Sequence, residues 1–240
     1  MKLSLLVLAA HPDDAEMSCG GTIAVEVAAG RLVGVVDFTQ GELGTRGTPA
    51  IRLQEAEAAA QILSLSARHN LGFRDGFFKN DEEHQLRLVP YLRRYRPDLV
   101  IANAIDDRHP DHGRAAALAV DACFLSGLRQ LHTLDPIDGT PQEAWRPRQL
   151  FHYIQDRYIQ PHVTVDISAY WQTKLASIQA YRSQFFDPTS SEPESYLTSP
   201  EFMEFLKARW QESGHAIGVQ YGEGFTSYRK LGSASLFNLK

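Results

Sequence analysis

The sequence predicts an α/β protein: a mostly parallel sheet with helices on both faces, extended by a C-terminal α/β elaboration. Two observations point there. Short β-rich runs alternate with helix-like segments, which implies right-handed βαβ crossovers. The runs LSLLVLAA (3–10) and DLVIANA (98–104) are apolar almost throughout, as strands covered on both faces are. At 240 residues the chain is long enough for one domain with a substantial core, divided here into residues 1–130 and an elaboration over 131–240.

The first strand spans 3–10. From Cys19 to Ala29 the pattern is helical and stops at Gly30, a residue suited to the left-handed position after a helix. RLVGVVDFT (31–39) reads as the second strand, RLQEAEAAAQIL (52–63) as a helix, and 67–72 as a short strand. EHQLRLVPYLRRY (83–95) is helical in pattern, with Pro90 expected to kink or shorten it. The strand at 98–104 precedes a helix over 113–128. Residues 132–150 hold Pro136, Pro141, Pro147 and Gly139 and read as a loop or lid. Strand character resumes at 150–154 and 162–167, followed by a long helix over 168–185 and a polar, turn-rich stretch, DPTSSEPES (187–195).

Composition narrows the classes of function. Lys and Arg number 24 against 29 Asp and Glu, a net charge of −5, which argues against a nucleic-acid or acidic-membrane surface. No apolar run reaches bilayer-spanning length, and MKLSLLVLAA is too short, and too quickly followed by a polar motif, for a signal peptide. The two cysteines, Cys19 and Cys123, form no CxxC pair and fit buried thiols in a reducing cytoplasm.

Two polar motifs interrupt this ordinary pattern. HPDD (11–14) follows the first strand, and DDRHPDHGR (106–114) follows the strand at 98–104. In an open parallel sheet, ligand sites lie beyond the carboxyl ends of the strands, so the two would meet there. His11, Asp14 and His112 could then supply two imidazoles and a carboxylate to a catalytic metal, leaving coordination positions open. Such a Zn²⁺ ion lowers the pKa of a coordinated water toward about 7. Asp13, the spare carboxylate, would serve as general base and then acid. His109 would face the developing oxyanion, with its charged form supported by Asp111. Each motif alone reads equally well as a helix cap. The same N/O donors could also hold Fe²⁺, Co²⁺ or Ni²⁺. Gly20 and Gly21 suggest close backbone packing, since no phosphate-binding glycine motif surrounds them.

AHPDDAEMSCGGTIA followed by RHPDHGRA resembles the PIG-L (LmbE-like) zinc-dependent N-deacetylases. The segments TQGELGTRGT, IRLQEA, LGFRDGFF, GLR, VDIS, AYRSQF and GVQYGEGF resemble the bacillithiol-biosynthesis branch, so the likeness runs to about Phe225. This resemblance implies a Rossmann-like fold and hydrolysis of N-acetylglucosaminyl-malate to glucosaminyl-malate and acetate. It implies His11, Asp14 and His112 as metal ligands, Asp13 as general base and acid, His109 as oxyanion stabiliser and Asp111 as its tuning partner. Glu42, Arg52 and Asp75 match substrate-side positions, and Arg52 would suit a malate carboxylate. The resemblance further implies a small sugar-conjugate substrate and a homo-oligomer, trimer or hexamer. Rival readings are an amidase for a larger thiol conjugate, a sugar- or metal-binding module without turnover, and a metal-free α/β protein.

Overall fold

The computed structural model describes residues 1–185, 191–235 and 237. Its strands are β1 (Leu5–Ala9), β2 (Val33–Thr39), β3 (Ala67–Phe73), β4 (Leu99–Ala102), β5 (Gln149–Tyr153), β6 (Val163–Asp166) and β7 (Gly222–Thr226). The helices are α1 (Asp14–Ala28), α2 (Pro49–Ile62), α3 (Glu82–Tyr95), α4 (Pro110–Leu125), α5 (Trp171–Gln179) and α6 (Pro200–His215). One sheet contains all seven strands in the order β3-β2-β1-β4-β5-β7-β6. The pairs among β1 to β5 are parallel, whereas β7 runs antiparallel to both β5 and β6. This is the doubly wound arrangement the sequence predicts. Its order reverses between β1 and β4, which opens a crevice beyond their carboxyl ends.

The continuous apolar character of β1 has a direct cause. Leu6 and Leu8 pack with Leu88 and Leu92 of α3 and Leu118 and Ala122 of α4. Leu5, Val7 and Ala9 point the other way, into a cluster with Ala15 and Ile23 of α1. Both faces are therefore covered, and the period-two alternation of a strand sends each neighbour into a different core. A third cluster joins α2, α5 and α6 through Ala59, Ile178, Phe202 and Trp210. Among the described residues, no helix is long and apolar enough to cross a membrane.

Several elements differ from expectation. The first helix begins at Asp14, five residues early, but Cys19 (φ −140°, ψ 18°) breaks it, so the segment read from Cys19 onward is its second half. Pro90 does not stop α3, which runs from its Asp81 cap to Arg96 in the left-handed conformation. The expected long helix over 168–185 ends at Gln179. Beyond it, Ser183 turns to donate from N and Oγ to Glu55 (2.7 Å each), and Gln184 donates to the Arg46 carbonyl (2.9 Å). Helix α6, begun by the Ser199 cap, and strand β7 were not anticipated.

The 132–150 loop is not a lid. Arg93 of α3 donates to Thr133 Oγ1, Gln142 Nε2 donates to the Pro90 carbonyl at 2.9 Å, and Trp145 Nε1 donates to the Pro97 carbonyl at 2.8 Å. These contacts tie the loop to the α3–β4 connection, at the amino edge of the sheet and away from both polar motifs. In the stretch 187–195, residues 187–190 lie outside the described residues, and 191–195 carry no regular structure.

Candidate active site

The carboxyl ends of β1 and β4, paired from Leu5↔Leu99 to Val7↔Ile101, deliver the two motifs to one place. HPDD leaves β1 directly into α1, and HPDH opens α4. His11, His109 and His112 each offer a nitrogen within 4.8 Å of the others, and their rings lie 4.6–5.4 Å apart between centroids.

Asp14 is the hub. Its Oδ2 accepts from the His11 backbone N–H and from Asn103 Nδ2, both at 3.0 Å, and lies 3.4 Å from His11 Nδ1. Its Oδ1 accepts from Gln155 Nε2 at 3.0 Å and lies 3.2 Å from His112 Nε2. The remaining imidazole nitrogens face carboxylates. His112 Nδ1 meets Asp107 Oδ2 at 2.6 Å, while His11 Nε2 meets Asp75 at 3.1 Å and Asp111 at 3.3 Å. Each imidazole is thus oriented by an acid on one nitrogen and presents the other to Asp14, the usual outer arrangement around a metal-binding histidine. A second grouping, His11 with Asp75 and Asp111, also lies within 4.8 Å.

The electrostatics favour positive charge here. Burial alone would lower the His112 pKa, but Asp14 and Asp107 lift it to about 9. His11 is likewise raised, because Asp111, Asp14 and Asp75 outweigh its burial. Asp75 reaches about 2, its burial overcome by His11, and Asp14 is held well below the carboxylate range by His112 and His11 against its own burial. The donor chemistry fits a divalent cation: a buried carboxylate hub flanked by two oriented imidazoles, all N and O donors.

Asp13 is 4 % exposed and has φ 112°, a conformation rare for a residue with a Cβ. Its side chain caps nothing, which disfavours the simple helix-cap reading of HPDD. Instead Arg52 Nη2 donates to Asp13 Oδ2 at 2.9 Å and also to the Pro12 carbonyl. Burial pushes the Asp13 carboxyl up to about 7, with Arg52 pulling the other way and Asp14 adding to the rise.

Other expected residues sit differently. Arg52 is buried, its guanidinium divided among Asp13, Pro12 and the Gly41 carbonyl, so it is not presented to a malate carboxylate. Glu55, one turn further along the same helix, holds Ser183 instead of Arg52. Glu42 Oε1 accepts from the Asp75 N–H at 2.7 Å, and Asp75 Oδ2 accepts from the Leu43 N–H at 3.0 Å, a latch between two loops. The Asp111 carboxylate meets His11, the Gly76 N–H (2.7 Å) and Arg114, not the His109 ring. It is the Asp111 backbone N–H that donates to His109 Nδ1, at 3.3 Å. A ring nitrogen that accepts carries no proton. Burial, with the charges on His11 and His112, lowers the His109 pKa, so this geometry favours the neutral ring with its proton on Nε2 over the expected charged form. Asp107, Asn103 and Gln155 were missed: Asn103 and Gln155 are lone polar residues just past the ends of β4 and β5, and Asp107 lies in the second motif but outside its HPDH.

A comparison with protein families matches residues 6–123 to the family described as GlcNAc-PI de-N-acetylase, PIG-L. Diacetylchitobiose deacetylase of Thermococcus kodakarensis is 29 % identical over 203 residues, covering 80 % of this chain and 74 % of the relative. A 1D-myo-inositol 2-acetamido-2-deoxy-alpha-D-glucopyranoside deacetylase of Saccharomonospora viridis is 30 % identical, covering 75 % of this chain and 84 % of the relative. Among solved structures, a conserved protein of Thermus thermophilus superposes with a TM-score of 0.84 at 40 % identity over 98 % of both chains.

Proposed function

This chain belongs to the PIG-L family and is an N-deacetylase acting on GlcNAc-type substrates, and from that premise we propose that it is a zinc hydrolase releasing acetate from a small N-acetylglucosamine conjugate. The observation that carries this reading is the meeting of HPDD and HPDH around the Asp14 hub. His11, Asp14 and His112 would hold the ion, oriented by Asp75, Asp111 and Asp107. When bound, Zn²⁺ supplies a Lewis acid for the amide carbonyl and the attacking water.

The protein groups do the rest. Asp13, fixed through Oδ2 by Arg52, takes the proton of the attacking water on its other oxygen and passes it to the departing amine. His109 donates its Nε2–H toward the oxygen that gains charge as the carbonyl carbon becomes tetrahedral. Asn103 and Gln155 keep the Asp14 oxygens aligned.

Within this class the malate conjugate is the specific substrate suggested by the sequence resemblance. The side chain expected to meet its carboxylates is committed to Asp13, so the weight of the reading lies on the acetamide and the sugar. Two buried unpaired thiols support a cytoplasmic location. We infer no nucleic-acid or membrane partner and a trimeric or hexameric assembly, which sedimentation would test. The deciding experiment is acetate release from N-acetylglucosamine and its conjugates by zinc-loaded protein, beside Asp13→Asn. Release that the variant lacks supports the reading; no release from any N-acetylated sugar overturns it.

A further inference from the structure

A cavity of about 220 Å³ opens directly from the candidate active site. His112, Asp107 and Gln155 line its inner end, so whatever occupies it lies against the same side chains that surround Asp14. Its outer wall comes from α6, through Phe202, Phe205, Leu206 and Trp210, with Tyr196 from the turn just before that helix and Tyr158 from the loop after β5. Phe202 and Trp210 are buried, but Phe205, Tyr196 and Tyr158 are 43 %, 51 % and 64 % exposed. Large aromatic side chains left this open beside a reaction centre offer stacking and apolar contact to a ligand.

The charged groups that line the cavity are largely paired among themselves and with their neighbours. Asp107 and Glu223 line it but are held by His112 and Lys174, and Asp156 and Glu212 line it with the guanidinium groups of Arg108 and Arg209. Both guanidiniums are engaged already. Arg108 Nε lies 3.4 Å from Asp156 Oδ2, with its guanidinium 4.7 Å from the Tyr196 ring; Arg209 donates to the Asp156 carbonyl at 2.7 Å and lies 5.3 Å from the Phe205 ring. A dicarboxylate placed against this outer wall would be desolvated by Phe202 and Leu206, where both guanidinium groups already hold partners.

We propose that this cavity is an aglycone subsite for a neutral apolar or aromatic group attached to the N-acetylated sugar. The inference rests on the deacetylase reading and narrows its substrate class. It places the acetamide at the His11–Asp14–His112 cluster and the aglycone against α6. A malate aglycone is accordingly a poor fit, and a second copy of the chain is a competing occupant for the same aromatic wall.

The test compares kcat/KM for acetate release by the zinc-loaded full chain from free N-acetylglucosamine, its phenyl β-glycoside and its malate conjugate. Burial of a phenyl ring predicts that the phenyl glycoside exceeds the free sugar about tenfold or more. The ratio should fall at least about threefold in Phe205→Ala and in the more exposed Tyr158→Ala. Equal values for phenyl glycoside and free sugar, a preference for the malate conjugate, or a ratio unchanged in both variants would overturn the subsite. If no substrate releases acetate, the parent reading fails and the cavity is judged by binding alone. Phenyl β-D-glucoside should then quench tryptophan fluorescence saturably in the wild type but not in Trp210→Phe. Absence of that quenching, or its appearance only on dilution to monomer, would overturn the subsite in favour of an empty or self-covered face.

Discussion

Asp13 holds a backbone conformation that costs about 1–3 kcal/mol for a residue with a Cβ, and the surroundings show what sustains it. Arg52 reaches 40 and 39 residues back along the chain to bind the Pro12 carbonyl and the Asp13 carboxylate. It fits only because position 41 is glycine: a Cβ there would fall 1.7 Å from Arg52 Nη1. Arg52→Gln should therefore lower kcat about 10- to 100-fold with KM changed less than about twofold, the signature of lost transition-state positioning. A carboxylate-binding arginine would instead show its loss in KM. In the Asp13→Asn background the Arg52 substitution should add little, since the two act as one unit. The outer partners give a second prediction. Asp107→Asn should weaken metal affinity about 10- to 100-fold by leaving His112 unoriented, as titration with a competing chelator would measure. HPDD and HPDH were legible in the sequence because histidine beside aspartate at two strand ends has few bland explanations. Asn103 and Gln155 were not, because a single amide carries no spacing signal until the fold brings it to Asp14.

At the scale of elements, α1 explains why β7 exists where it does. The break at Cys19 frees backbone N–H groups in mid-helix, and the Glu223 carboxylate of β7 takes those of Gly21 and Thr22 at 2.9 and 2.7 Å. Lys174 of α5 neutralises the same carboxylate, and both side chains are buried. The anion-binding capacity of a helix start is thus filled by the protein's own glutamate, which settles Gly20–Gly21 as packing glycines. Gly21 has no room for more: a Cβ would lie 2.7 Å from Ile167. Glu223→Ala should cost about 3–5 kcal/mol, because it strands a buried ammonium and uncaps two N–H groups, and thermal unfolding would read it as a large fall in Tm. The kink itself was invisible in the sequence; a pattern reading sees where apolar periodicity starts, not that a helix has already begun upstream. Strand β7 was missed for a related reason, since GEGFT has two glycines and no run of β-branched residues and owes its pairing to partners on either side.

At the scale of the whole molecule, the division into a core over 1–130 and an elaboration beyond it describes the sequence pattern better than the folding unit. Strand β5 continues the parallel sheet beside β4, and Tyr153 and Phe225 complete the apolar cluster that covers Val7 and Ile23. Gln155 supplies a bond to Asp14 and Glu223 caps the broken α1, so the C-terminal part reaches both the site and the helix that carries half of it. Without residues beyond 130, the edge of β4 would be unpaired, Cys19 and Ala15 would lose Tyr153 as cover, and the Gly21 and Thr22 N–H groups would lose their acceptor. A fragment ending at residue 130 should then lack cooperative unfolding and bind zinc at least about tenfold more weakly than the full chain, the fold that aligns Asp14 being incomplete. Calorimetry of the fragment beside the full chain measures the first, and zinc titration the second. A sharp transition with full-strength zinc binding in the fragment would instead make the elaboration a separable addition, its contacts to Asp14 and α1 being consequences of the fold and not conditions for it.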